Sequence, residues 1–159
     1  MKEIEYKFKV KTNSIKDILE EEGIQQESQL FISDTYYKKD ENVVRVRSQN
    51  DEIIFNSKLS TSLFFMRDEF EVVTSYSIHE ILQHLGYNIE CNILKVRSIY
   101  DYNDVTICVD DVAELGCFVE FEVIGEENID YLYEVMNYFD FNPQDAVKLS
   151  YYEMFMDEV

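Results

Sequence analysis

At 159 residues, 46% hydrophobic and 14% aromatic, the chain has the usual size of one domain and enough apolar material for a core. Fourteen Lys and Arg stand against 33 Asp and Glu, a formal net charge of -19, which speaks against a nucleic-acid partner tracked over an outer basic surface. With 4 Gly and 1 Pro there is little room for flexible linkers, so the expectation is one domain over residues 1–159. No apolar run approaches the roughly 18 residues of a membrane span, and Met1-Lys2-Glu3-Ile4-Glu5 is charged where a signal peptide is greasy. A cytoplasmic protein with no membrane partner is expected. Cys91, Cys108 and Cys117 are odd in number and lack CxxC spacing, which predicts reduced packing residues.

Residues 2–11 alternate Ile4, Tyr6, Phe8 and Val10 with Glu3, Glu5, Lys7 and Lys9, the period of a strand. A helix follows, opening at Asn13 or Ser14, aligning Ile15, Ile18 and Leu19, and closing at Gly23. Strands are predicted near 30–38, 42–48, 52–59 and 65–73. A second helix starts around Ser75 to Ser77, presents Ile78, Ile81, Leu82 and Leu85, and stops at Gly86. Strands near 92–102, 104–111 and 117–124 bring the total to about eight. Residues 127–139 and the tail from Asp145 to Asp157 read as amphipathic helices separated by Pro143. Both halves run from an acidic alternating strand through a helix to a basic strand, a weak internal likeness. Ser60-Thr61-Ser62 is expected to form a turn.

The polar strand faces carry the chemistry. At period two they hold Glu3, Glu5 and Lys7; Arg45 and Arg47; Asn56 and Lys58; Arg67, Glu69 and Glu71; Lys95 and Arg97; Cys108 and Asp110; Glu120 and Glu122. The opposite faces are apolar, among them Val44, Val46, Phe55, Phe70, Val72, Leu94 and Val96, and helices are expected to cover them. Eight such strands can close into a barrel with a charged interior. Buried ions cost several kcal/mol each unless paired or bound to a ligand, so a charged lumen implies a site. Half of the scarce cations share these faces with seven carboxylates, which points to a polyanion held with a hard divalent cation. A sheet with one solvated face of mixed charge fits the same alternation.

Glu3-Ile4-Glu5-Tyr6-Lys7 looks like the ExExK signature of the CYTH superfamily, the triphosphate tunnel metalloenzymes. The resemblance runs in order through Asp34-Thr35-Tyr36-Tyr37, Arg45-Val46-Arg47, Lys58, Arg67-Asp68-Glu69-Phe70-Glu71, Lys95-Val96-Arg97, Asp110 and Leu115-Gly116-Cys117-Phe118-Val119-Glu120-Phe121-Glu122. It covers nearly the whole chain and is closest to the class IV adenylyl cyclase and thiamine triphosphatase branch. It implies an α+β fold, an eight-stranded antiparallel closed β-barrel with helices packed outside. It further implies that Lys7, Arg45, Arg47, Lys58, Arg67, Lys95 and Arg97 grip a triphosphate, with Lys148 near the carboxyl-terminal helix joining them. Glu3, Glu5, Asp110, Glu120 and Glu122 would bind Mg2+ or Mn2+, and Glu5, Glu122 and Lys7 would be the catalytic residues. Two departures stand out: Leu59-Ser60 follows Lys58 where many relatives have glycine and proline, and the chain has no Trp to stack a base.

Three functions follow as expectations. A class IV cyclase would convert ATP to cyclic AMP and pyrophosphate; a triphosphatase would hydrolyse thiamine triphosphate, inorganic triphosphate or a nucleoside triphosphate; a binding module would retain the charged cage without turnover. His79 and His84, five apart, do not share a helix face and read as surface residues. Tyr131, Tyr133 and Tyr138 are expected to be exposed and to favour a homodimer.

Overall fold

Alternation at period two becomes eight strands and four short helices in a computed structural model that describes residues 2–60 and 63–158. In chain order these are β1 (Lys2–Val10), α1 (Ile15–Glu21), β2 (Gln26–Lys39), β3 (Asn42–Gln49), β4 (Glu52–Ser60), β5 (Met66–Thr74), α2 (Ile78–His84), β6 (Asn88–Tyr102), β7 (Val105–Val112), β8 (Gly116–Ile124), α3 (Ile129–Tyr138) and α4 (Tyr151–Glu158). The strands pair antiparallel in the order β1-β5-β4-β3-β2-β6-β7-β8 and close into a barrel. The hairpin turns put Asp40, Asn50 and Asn103 at positive φ, a region that Asn and Asp tolerate better than most residues. The expected turn at Ser60–Ser62 lies partly outside the described residues.

The order has an internal exchange. β1 pairs with β8 and β5, β5 pairs with β4 and β1, and β2 pairs with β6. Each half therefore lends its leading strand to the end of the other half's three-stranded meander. The weak sequence likeness between the halves has this geometric counterpart. The β1–β5 seam is short, three registered pairs from Lys2↔Asp68 to Ile4↔Met66.

Helices cover only part of the outer wall. α1 and α3 bury Ile4, Tyr6, Phe8, Ile107, Val119 and Phe121 beneath Leu19, Leu132 and Met136. α2 caps Tyr37 and Val46 through Leu82. Seven-residue helices cannot span eight strands, so Phe70, Val72 and Leu94 are exposed rather than covered as the sequence predicts. His79 is not free either: Tyr37 Oη lies 2.6 Å from its Nδ1, tying α2 to β2.

Two further expectations are corrected at the carboxyl-terminal end. Residues 126–128 form a 3-10 turn ahead of α3, and the tail is helical only from Tyr151. Pro143–Asp145 makes another 3-10 turn, after which the Val147 N–H donates to the Lys7 carbonyl at 2.7 Å. Beyond Ile4 the edge of β1 has no registered β5 partner, and this extended segment supplies a hydrogen bond there. α4 then packs on Cys91, Ile93, Val112, Leu115 and Phe118. Ile93, Val112 and Phe118 are in phase with Lys95, Asp110 and Glu120, so α4 sits against the inner face and closes one end of the barrel. No helix among the described residues is long and apolar enough to cross a membrane.

Candidate functional site

Residues of seven of the eight strands, all but β7, line one cavity of about 830 Å³. It brings together Lys7, Arg45, Arg47, Lys58, Arg67, Lys95 and Arg97 with Glu3, Glu5, Glu69, Glu71, Glu120 and Glu122, as strict alternation predicts. Ser150, Tyr151, Tyr152 and Glu153 of the α4 end line it too. Two expected members do not line this cavity. Asp110 is fully buried and paired with Arg97, and Lys148, over the Phe64 ring at 5.6 Å, lines a smaller recess that shares Glu3, Glu5, Lys7 and Arg67 with the cavity.

The cationic wall is organised by two buried aspartates. Asp34 accepts from Arg47 Nε at 2.8 Å and from its terminal nitrogen at 2.9 Å. Lys95 stands 3.8 Å and Arg45 4.0 Å from the same carboxylate. Burial works to raise the Asp34 pKa, but Arg45, Arg47 and Lys95 outweigh it and hold the group ionised well below the usual carboxylate range. Asp110 repeats the device, accepting twice from Arg97 at 2.8 and 2.7 Å and once from Tyr151 Oη at 2.7 Å. With its oxygens taken this way, Asp110 orients Arg97 instead of joining the other carboxylates.

Arg97 also donates to Glu120 at 2.9 Å. Burial opposes ionisation of Glu120, yet Arg97, Lys7 and Lys95 hold its pKa well below the ordinary value. The cations stay in excess on this wall. Burial, then Arg97 and Arg47, pull the Lys95 pKa down to about 7 despite Asp110 and Asp34. Arg45 keeps a buried Nε without a hydrogen-bond partner. That nitrogen points toward Asp34, 4.0 Å away, while the residue itself lines the cavity.

Across the lumen the balance reverses. Glu3, Glu5 and Glu122 each offer an oxygen within 4.8 Å of the others. Glu3 accepts from Lys58 at 2.7 Å, and Glu5 has Lys58 and Lys7 at 3.9 and 3.8 Å, so these two have counter-charges. For Glu122, burial first, then Glu3 and Glu5, push the pKa up to about 8. Three hard oxygen donors this close, one of them a carboxyl that a cation would help to ionise, fit a Mg2+ or Mn2+ ion. Next to them Asn56 donates to Glu69 at 2.7 Å and to Glu71 at 3.4 Å, which steadies a second acidic strand.

The sequence reading gave no role to Tyr36, Tyr151 or Tyr152, which line the cavity. Tyr36 and Tyr152 stack with centroids 5.1 Å apart, and burial with the nearby Asp34 charge raises the Tyr36 pKa to about 12. Tyr36 stands in the Asp34-Thr35-Tyr36-Tyr37 element and Tyr151 and Tyr152 lie just after Lys148, but adjacency in sequence does not show which side chain enters the barrel. Cys108 is a buried neutral thiol, its pKa raised to about 12 by burial. Of the tyrosines expected at a dimer face, Tyr131 bonds Asn103 and Tyr133 bonds Tyr6; Tyr138 is exposed.

Comparison with known proteins gives the same frame. The CYTH domain profile matches residues 1–132. A Methanocaldococcus jannaschii protein named "Putative adenylate cyclase MJ0240" is 23% identical over 172 aligned positions, covering 97% of this chain and 98% of that one. The PH1012 protein from Pyrococcus horikoshii shares 25% identity and superposes with a TM-score of 0.85, over 94% of this chain and 96% of that one. A Hippeastrum protein described as "Putative adenylyl cyclase HpAC1", with a dominant triphosphatase activity, shares the fold at 11% identity and a TM-score of 0.70, over 99% and 95% of the two chains.

Proposed function

The chain belongs to the CYTH domain family, and from that premise we propose that it is a metal-dependent enzyme acting on an organic triphosphate, with cyclisation of ATP to cyclic AMP and pyrophosphate as its reaction. One observation carries the reading: a wall of cations lining the cavity faces a carboxylate triad in which burial and the charges of Glu3 and Glu5 push the Glu122 pKa up to about 8. A polyanion answers the first and a divalent cation the second. A triphosphate lying between the two walls would meet both.

In this reading Arg45, Lys95 and Lys7 bind phosphate oxygens directly. Arg47 and Arg97 present their remaining N–H groups from positions fixed by Asp34 and Asp110. Lys58, hydrogen-bonded to Glu3, bridges the two walls. Glu3, Glu5 and Glu122 hold the cation. When bound, that ion neutralises phosphate charge and acidifies the attacking hydroxyl. Arg97 and its neighbours retain the leaving pyrophosphate, a stabilisation aimed at charge that grows during the reaction. The cavity, about 830 Å³, is in the range of sites for drug-sized ligands, which favours an organic triphosphate over inorganic triphosphate.

Hydrolysis is the second reading, supported by the triphosphatase activity attributed to the Hippeastrum protein of the same fold. The two readings use the same cage and differ in nucleophile and in which phosphorus meets the cation. Incubation with Mg2+ or Mn2+ and, separately, ATP, thiamine triphosphate and inorganic triphosphate discriminates them. Cyclic AMP with equimolar pyrophosphate supports cyclisation, and orthophosphate with a diphosphate product replaces it by hydrolysis. Binding of triphosphate without any product overturns both in favour of a binding module.

A further inference from the structure

Tyr151 is only 5% exposed, at the first position of α4, and it reaches the lumen from outside the strand framework. Lys7 Nζ lies 4.0 Å and Lys95 Nζ 4.7 Å from the centroid of its ring. The Phe118 ring packs against it edge-on, and its hydroxyl donates to Asp110. The carboxylates recorded around the two ammonium groups are no nearer than 3.8 Å: Glu5 and Glu120 for Lys7, Asp34 and Asp110 for Lys95. These lysines are thus held by an aromatic face, while Arg47 and Arg97 are held by close carboxylate pairs.

From this we infer that Tyr151 is a positioning residue for phosphate: its ring draws Lys7 and Lys95 away from the surrounding carboxylates, so that their N–H groups remain free for the triphosphate. The inference rests on the triphosphate reading and adds to it a role for α4. A π face attracts an ammonium without occupying its three N–H donors, whereas a carboxylate at hydrogen-bond distance takes one or two of them. Without the ring, each lysine has two carboxylates within about one ångström of a direct bond, and collapse onto them sets an internal ligand in competition with phosphate. The hydroxyl has a separate task, since its bond to Asp110 fixes the plane of the ring under both cations.

The test is the affinity of the full-length protein for inorganic triphosphate, measured by calorimetry in EDTA so that neither metal nor turnover enters. Tyr151→Phe keeps the face and is expected within about threefold of wild type; Tyr151→Leu removes it and is expected to bind at least tenfold more weakly. Phe118→Leu, which loosens the same packing but faces the exposed Lys9 and neither lumen lysine, stays within about threefold. If Tyr151→Leu does not fold, mono-, di- and trifluorophenylalanine at position 151 replace it, because successive fluorines weaken the π face at nearly constant shape. Affinity is then expected to fall stepwise, at least fivefold across the series. Equal affinity for all variants overturns the inference. So does a Phe variant as weak as the Leu variant, which would assign the effect to the hydroxyl. A wild-type protein that binds no triphosphate overturns the reading of the site itself.

Discussion

Arg45 and Arg47 sit two residues apart on β3, point into the same lumen and have opposite duties. Arg47 is spent on Asp34 through two short bonds, whereas Arg45 retains an unpartnered Nε. Arg47→Ala strips a buried carboxylate of its closest counter-charge and is expected to lower stability by about 3 kcal/mol, read from urea unfolding. Arg45→Ala is expected to raise KM for the triphosphate at least tenfold with a smaller effect on unfolding. Glu122 gives a pH signature of the opposite kind from most carboxylates. Its pKa is raised to about 8 in the folded protein, so folding favours its protonated form, and the stability that proton contributes is lost as pH rises from about 5 through 8. The metal-free protein should show a falling Tm across that window, and Glu122→Gln should flatten the fall. Divalent cation binding at pH 7 should release about one proton, measured by calorimetry in buffers of different ionisation enthalpy; no release would separate Glu122 from the cation site.

At the level of elements, the strands were legible because most of them alternate strictly, β2 with its register shifts against β6 being the exception, and so was the meeting of charged faces in one lumen. Gly23 and Gly86 ended their helices at positive φ as predicted. What escaped was set by register and by direction of approach. Whether Asp110 joins a cation or orients an arginine depends on its standing directly across from Arg97 in the β6–β7 ladder, which no spacing reveals. The tail illustrates the other limit. Its apolar residues have helical spacing from 145 onward, yet Ala146 and Val147 run extended, where the Val147 N–H meets the carbonyl that β1 offers at Lys7. Val147→Pro deletes that donor and is expected to cost about 1–2 kcal/mol in urea unfolding, and to weaken triphosphate binding through Lys7; an unchanged denaturation midpoint would show that the strap adds nothing to the seam.

Taken whole, the molecule carries a charge of -19 while the cations of its cavity face inward. A triphosphate is repelled at long range and attracted only once inside. Salt shortens the range of both fields, from about 30 Å at 0.01 M to about 8 Å at 0.15 M, and the buried cations are screened less than the outer carboxylates. KM for the triphosphate should therefore change less than about threefold across that interval, as measured by initial rates. A steep loss would show that capture depends on exposed cations.

The exchange of leading strands between the halves bears on how this chain comes into being on a ribosome. β1 is made first, but its longest ladder is with β8, ending at Ile124, and its seam with β5 waits for residues 66–68. More than a hundred residues must emerge before the first strand gains its principal neighbour. Until then Glu3, Glu5 and Lys7 have no lumen to face, and the apolar side of β1 lacks both β8 and α3. Such long-range closure makes folding slow, so nascent chains stopped short of residue 124 should remain sensitive to protease along β1, and protection should arrive in one step when β8 clears the exit tunnel.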